Sequence, residues 1–356
     1  MIHAEQKIKN LLRLVAQQGA SDLHLTVGRH PTFRIDGKLI PFMEDEILTP
    51  AVTKEICGVI LSEEGQKKLN AEGQTDFSYN FEDKVRFRVN AFFQQGYISI
   101  AFRLIPREIK TLQELNMPEG LYDFTKFSQG LFLVVGPVGH GKSTTLAAMI
   151  NEINHNQEKH IVTIEDPIEY VYEQDRCIIN QREVYQDSQS FQAALKSVFR
   201  EDANVVLVGE MRDLDTISTA ITAAETGHLI FATLHTNDCP QTIDRIIDVF
   251  PAHQQNQVRS QLANVLLGVI SQRLISRIDG GRVPAVEIML KNHAVENLIR
   301  ENKSYQIDNV IETSSDQGMI SMDKSLASLV KQGIVSIDSA TAYAKDPKNF
   351  QSMLKI

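Results

Sequence analysis

Cysteine is scarce: Cys57, Cys177 and Cys239 are the only ones in 356 residues, and no two lie close in sequence. That excludes a C-x-x-C metal knuckle and a disulfide framework, and it suits a reducing compartment. A long apolar run is missing as well. Nothing approaches the roughly 18 residues a bilayer-spanning helix needs, so any membrane role is expected to be peripheral. Met1–Gln18 has no apolar core before a small-residue cleavage site and does not read as a secretory signal. Nor is there an excess of positive charge. The net charge of -9 and pI near 5.6 argue against nucleic acid as the main partner, because a phosphate backbone needs a basic face. Internal repeats and low-complexity tracts are also lacking.

The length and a hydrophobic fraction of 42% suit two domains, each with its own core. Ile8, Leu11, Leu12 and Val15 recur at helical spacing, predicting an amphipathic helix that ends near Gly19. Short strands are expected at Asp22–Val27 and Thr32–Ile35, with a turn at Asp36-Gly37. From Val85 the pattern alternates, with Phe87, Val89, Ala91 and Phe93 on one face and Arg86, Arg88 and Asn90 on the other. It resumes after Gln95-Gly96 with Ile98, Ile100, Phe102 and Leu104, predicting a hairpin. A turn centred on Gln95-Gly96 pairs Gln94 with Tyr97 and places Arg88 opposite Arg103. Like charges facing across a ladder are destabilising, so the pair is expected to serve an anion, for instance phosphate charge developing during phosphoryl transfer. The alternative is two solvated arginines on an exposed face. The stretch from Pro106 to Pro118 reads as a linker, giving domains at 1–106 and 118–356 with 107–117 between them.

Beyond the linker the pattern changes. Leu131–Val135, Ile161–Ile164, Val205–Val208 and Leu229–Phe231 are nearly continuous apolar runs, the mark of parallel strands buried on both faces of an α/β domain. The first delivers Gly136-Pro137-Val138-Gly139-His140-Gly141-Lys142-Ser143, a complete G-x-x-x-x-G-K-[ST], and Thr144 continues into a helix. Backbone N–H groups of such a loop close around phosphate oxygens, aided by the helix N-terminus. Lys142 is expected on the β- and γ-phosphates of ATP and the Ser143 hydroxyl on Mg²⁺.

The other apolar runs end in Glu165-Asp166 (with Glu169 close behind), in Gly209-Glu210, and in His235. Ligands of parallel sheets bind outside the carboxyl ends of the strands, so these groups should converge on the phosphate tail. Glu210 is the expected residue to orient or deprotonate the attacking water, with Glu165 and Glu169 as alternatives. Glu165 and Asp166 are expected to hold Mg²⁺, partly through its retained waters. His235 is expected near the γ-phosphate or Glu210, and His228 is a second candidate for nucleotide contact. For both histidines the alternative is a strand-end residue satisfied by backbone.

Together these segments resemble a family. Gly136–Ser143 followed by Thr144-Thr145-Leu146-Ala147, then Thr163–Glu169, Leu207–Asp213 and Thr222–His228, look like the Walker A, Asp, Walker B and His boxes of the secretion and pilus ATPases, in that order. Ala20–Leu25 is similar to the opening of the pilus retraction ATPases, the PilT family. The resemblance implies a PAS-like α+β N-terminal domain, then a RecA-like P-loop α/β domain with a C-terminal helical region. It implies a homohexamer with ATP and Mg²⁺ at domain and subunit junctions, and Arg88 and Arg103 match the family's N-domain arginines. It also implies a motor on the inner face of the cytoplasmic membrane, docked on a PilC-like platform protein and powering type IV pilus retraction. An early Ala20–Leu25 opening and too few cysteines for a four-cysteine zinc module favour retraction over extension or secretion. His140 departs from the usual serine, Ala203-Asn204 from Pro-Asp, and Lys196 from arginine. Glu296, in Ala294–Leu298, stands where the retraction motif carries arginine. It leaves open an accessory or nucleotide-gated subunit working with a second retraction ATPase, for which Glu296→Arg is the expected gain-of-function test.

Overall fold

Alternation after Val85 produces a hairpin in the expected register. In the computed structural model, which describes residues 2–35, 37–82, 85–105 and 108–355, Gln94 pairs with Tyr97, Ala91 with Ile100, and Arg88 with Arg103. Gln95 and Gly96 both take positive φ, 52° and 80°, the geometry of a two-residue hairpin turn whose twist matches the strands. Asp36, expected in the first turn, and Pro106 and Arg107, expected at the linker's start, lie outside the described residues.

The chain forms two compact units, residues 1–108 with 167–171, and residues 109–166 with 172–356. The first is a PAS-like α+β domain. Its antiparallel sheet has the order β3-β2-β1-β6-β5-β4, with β1 (Asp22–Leu25), β2 (Thr32–Ile35), β3 (Lys38–Pro41), β4 (Gln74–Phe81), β5 (Val85–Gln94) and β6 (Tyr97–Ile105). Helices α1 (Ile2–Gln17), α2 (Pro50–Ile60) and α3 (Glu63–Glu72) accompany it. The stripe Ile8, Leu11, Leu12 and Val15 is buried against Phe87, Val89, Ala91, Ile100 and Phe102, as the two periodicities require. Thr49 and Ser62 cap the second and third helices through their side chains, satisfying N–H groups that a helix start leaves open.

The second unit is a RecA-like domain. Its sheet runs β13-β12-β7-β11-β10-β8-β9, with β7 (Gly130–Val135), β8 (His160–Glu165), β9 (Ile178–Glu183), β10 (Val205–Val208), β11 (Leu229–Leu234), β12 (Leu266–Ser276) and β13 (Arg282–Leu290). Neighbours are parallel except the antiparallel β12–β13 pair at one edge. β7, β10 and β11 are buried along their whole lengths, which explains their unbroken apolar runs. Helices α4 (Lys142–Asn156), α5 (Phe191–Val198), α6 (Leu214–Glu225), α7 (Cys239–Asp248) and α8 (Ala252–Val265) flank the strands in sequence. α9 (His293–Arg300), α10 (Ile307–Thr313), α11 (Met322–Lys331), α12 (Ile337–Thr341) and α13 (Pro347–Leu354) complete the chain. A separate core of Ile275, Val283, Ala285, Leu326, Val335 and Phe350 joins α11, α12 and α13 to the β12–β13 hairpin. No described helix is long and apolar enough to cross a membrane.

Candidate nucleotide site

Central β7 ends at Val135, and the loop Gly136–Gly141 turns directly into α4. Gly136 has φ +142°, and a Cβ there would lie 2.5 Å from the Gln272 carbonyl oxygen, so only glycine fits. The loop is braced by β12 and β13. Gln272 Nε2 donates to His140 O (2.8 Å), its Oε1 accepts from Thr145 Oγ1 (2.8 Å), Leu274 N donates to His140 Nδ1 (2.9 Å), and Arg282 reaches Gly139 O (3.3 Å). His140 is therefore a structural member of the loop. Burial, then the charges of Arg273, Arg282 and Lys142, hold its pKa below the ordinary value, which keeps Nδ1 free to accept.

Lys142 opens α4 almost fully buried. Its Nζ donates to Gly136 O (2.9 Å) and Pro137 O (3.0 Å) and lies 3.3 Å from His235 Nδ1. His235, just past β11, has its other ring nitrogen 3.3 Å from Glu210 Oε1. Glu210 follows β10. Gly209 N donates to Ile164 O (2.8 Å) and Met211 N to Thr233 O (3.0 Å), so the backbone is held on both sides of the carboxylate. Gly209 sits in close quarters: a Cβ would approach Ile164 O to 3.1 Å and Glu165 Cα to 3.3 Å. Burial raises the Glu210 pKa, but hydrogen bonds from Arg212 (2.7 Å) and His235 and their charges outweigh it and hold the carboxyl below its ordinary value. Glu210 is thus a firmly ionised acceptor, better suited to orient a water than to keep its proton.

Glu165 ends β8 on the neighbouring strand, buried, with Oε1 accepting from Thr163 Oγ1 (2.6 Å) and Gln181 Nε2 (3.4 Å); Asp166 beside it is exposed. Ser143 lies in the first turn of α4 with Thr144 after it. Ser143, Glu165 and Asp166 offer hard oxygens of the kind Mg²⁺ takes, although two strands separate the one that Glu165 ends from that of the P-loop, and Mg²⁺ takes its ligands mostly from phosphates and water.

Three expectations change. His228 does not join this group: it precedes β11 at the opposite end, and the strand's length, about 3.3 Å per residue, separates it from His235. Its Nδ1 lies 3.1 Å from Ala223 O and its ring abuts Phe199, so for His228 the backbone-satisfied alternative holds. Glu169, expected close behind Glu165-Asp166, falls in the first unit, where with Ile168 and Tyr170 it lines a cavity of ≈ 130 Å³ beside Arg88 and Arg103. Of the facing arginines, finally, Arg103 already has an anion in its own sheet. Arg103 Nε donates to Asp22 Oδ1 (2.9 Å), and Arg34 Nε lies 3.6 Å from Asp22 Oδ2, so the row Arg34, Asp22, Arg103, Arg88 alternates in part. Asp22 lies some eighty positions before its partner, and the hairpin pattern carries no sign of it. Arg212, Gln272 and Arg282 were also missed. Arg212 sits inside the Leu207–Asp213 segment, but the bracing by Gln272 and Arg282 has no local sequence signal.

Comparison with known proteins places the chain in a family. Residues 3–281 match the family described as type II/IV secretion system protein. The chain is 47% identical over 346 residues to the type IV pilus retraction ATPase PilT of Pseudomonas aeruginosa, covering 96% of this chain and 99% of that one. It is 46% identical over 324 residues to a twitching motility protein of Neisseria gonorrhoeae, covering 90% and 85%. A crystal structure of the pilus retraction motor PilT with bound ADP superposes with a TM-score of 0.91 at 45% identity, covering 97% of this chain and 99% of that one. This chain therefore belongs to the type II/IV secretion system protein family, among its PilT-type pilus retraction ATPases.

Proposed function

We propose that the chain is the ATP-hydrolysing subunit of a motor that retracts type IV pili, with Lys142, His235 and Glu210 as its reaction centre. The observation that carries this reading is the unbroken contact from the P-loop ammonium through His235 to an ionised carboxylate at the end of the adjoining strands. The Gly136–Gly141 amides and Lys142 bind the triphosphate. Glu210, kept ionised by Arg212, holds the attacking water in line. His235 touches both and reports the state of the γ-phosphate to Glu210. Ser143, with Glu165 and Asp166 acting through water, would hold Mg²⁺, which neutralises charge on the β- and γ-phosphates. Arg88 and Arg103 lie in the N-terminal unit and act on a nucleotide bound by a neighbouring subunit, which requires a ring; the resemblance supports six members. The same resemblance supports a seat on a platform protein at the inner face of the cytoplasmic membrane.

The test separates binding from chemistry. Glu210→Gln keeps ATP affinity and loses turnover by about 100-fold or more, the scale for a positioned acid–base group. Lys142→Ala loses nucleotide binding itself. Normal turnover by Glu210→Gln would remove Glu210 from the reaction centre.

A further inference from the structure

His235 is the pivot of the site, yet its side chain is 39% exposed and packing alone does not hold it. What does hold it is the segment that follows. Thr236 Oγ1 is 2.7 Å from Thr242 Oγ1. Asn237 O accepts from Ser271 Oγ (2.7 Å) and Arg273 Nη2 (3.2 Å), and Asn237 Oδ1 accepts from the same Arg273 nitrogen (3.0 Å). Asp238 caps α7, and Cys239 N donates to Glu287 Oε1 (2.8 Å). Glu287 is buried and Arg273 Nη1 is buried without a hydrogen-bond partner, so both depend on the charges around them.

Those charges converge on one ammonium. Lys345 Nζ, between α12 and α13, lies 2.6 Å from Asp308, 3.8 Å from Glu287 and 3.9 Å from Asp238. Its position is fixed in turn by Asp323 of α11, which accepts from Lys345 N (2.6 Å) and Asp346 N (2.9 Å). We infer that Arg273 and Lys345 are positioning residues for hydrolysis: they fix the loop 236–239, hold His235 between Lys142 and Glu210, and tie that loop to the C-terminal helices. The inference rests on the reading of His235 and Glu210 given above. It goes further in making the C-terminal helices a mechanical partner of the reaction centre, through a lysine more than one hundred positions away in sequence.

The experiment compares variants that break the same close ion pair from its two ends, in the full-length protein, by steady-state ATPase rate and by titration with fluorescent ADP. Lys345→Met removes the charge facing Asp238 and Glu287. It lowers kcat by about tenfold, the scale for a displaced catalytic contact, with nucleotide affinity nearly unchanged, and Lys345→Arg restores the rate. Asp308→Asn removes the 2.6 Å partner but leaves the ammonium beside the loop, and it keeps kcat. A purely structural role for the pair makes Lys345→Met and Asp308→Asn fall together, and that result overturns the inference, as does wild-type kcat in Lys345→Met. If Lys345→Met does not fold, Ser271→Ala carries the test: kcat falls without loss of affinity, and an unchanged kcat overturns the proposal. Glu210→Gln runs alongside. Normal turnover there refutes the reaction centre itself, whereas an inactive Glu210→Gln beside an unaffected Lys345→Met refutes only the positioning role.

Discussion

Replacing Glu296 by arginine restores the residue usual in the retraction motif, and in this chain it should do harm. The Glu296 carboxylate is largely covered and lies 3.5 Å from Lys291 Nζ, 3.6 Å from Arg300 Nη1 and 3.7 Å from His293 Nδ1. It also stands in the first turn of α9, where a negative charge suits the helix dipole. Coulomb's law at these distances gives about 1 kcal/mol per pair in water and about 5 at an effective dielectric near 20. Lys291 and Arg300 are a third or more exposed, so the measured range for exposed pairs, roughly 0.2–1 kcal/mol, is the better guide. Reversing the sign loses an attraction and gains a repulsion at both cations, about 2 kcal/mol in total at ~0.5 for each. For a domain of this size that lowers Tm by about 4–8 °C. Glu296→Gln loses only the attraction and should fall about halfway. Thermal unfolding at low salt and again near ~1 M, where the Debye length is about 3 Å, checks both size and origin. An unchanged or raised Tm for Glu296→Arg at low salt, or a deficit that salt does not reduce, would refute the reasoning. Any gain of function from Glu296→Arg therefore comes with a loss of stability, because Lys291 and Arg300 already match the charge present.

Charge reversal at Arg103 should depress turnover far more than nucleotide affinity in isolated subunits, and mixing Arg103→Glu with Glu210→Gln subunits should recover ATPase activity; no recovery at any ratio counts against supply from a neighbour. Gly136→Ala forces a Cβ to within 2.5 Å of the Gln272 carbonyl at a φ that L-residues avoid. Strain of about 1–3 kcal/mol should lower Tm and weaken ADP binding, and a variant that binds normally would show the loop has more room than its geometry states. The pH dependence follows from the depressed pKa of Glu210. Its stabilising contribution is full above the ordinary glutamate pKa of about 4.3 and disappears as pH falls through the lower folded value. The Tm difference between wild type and Glu210→Gln should accordingly vanish as pH falls through that range; a difference that persists undiminished well below it would contradict the assignment.

Local chemistry made much of this molecule legible. Period-two alternation and a Gln-Gly turn set the Arg88–Arg103 register, since a slip by one residue would turn Phe87, Val89 and Ala91 to the wrong face. Unbroken apolar runs located β7, β8, β10 and β11, and the rule that ligands sit beyond the carboxyl ends of such strands brought Lys142, Glu165, Glu210 and His235 together. The same rule, applied to His228, shows where the reading went astray: His228 stands before an apolar run and His235 after one, so only the second lies at the carboxyl end. Edge strand β9, with Asn180, Gln181 and Arg182 in its middle, has no apolar run to reveal it. Asp22 is hidden for another reason. Its contact with Arg103 depends on β1 lying beside β6, and pairing between distant strands is a property of the folded sheet alone.

β12 explains why the two halves of the site keep their spacing. Its side chains alternate between opposite faces of the sheet, as in any strand. Ser271 and Arg273 reach Asn237 and hold the loop behind His235, whereas Gln272 between them bridges His140 O and Thr145 Oγ1 in the P-loop. Leu274 adds its backbone N–H to the P-loop side. One extended segment therefore braces both the loop that carries Lys142 and the loop that carries His235, whose Nδ1 lies 3.3 Å from Lys142 Nζ. β12 is itself aligned by β7 on one side, where Ser271 pairs with Val135, and by β13 on the other, where Ser271 pairs with Glu287, the residue that receives Cys239 N. A strand with no catalytic motif of its own thus spans both loops, and because β13 packs with α11, α12 and α13, the proposed coupling of those helices to His235 has a structural path.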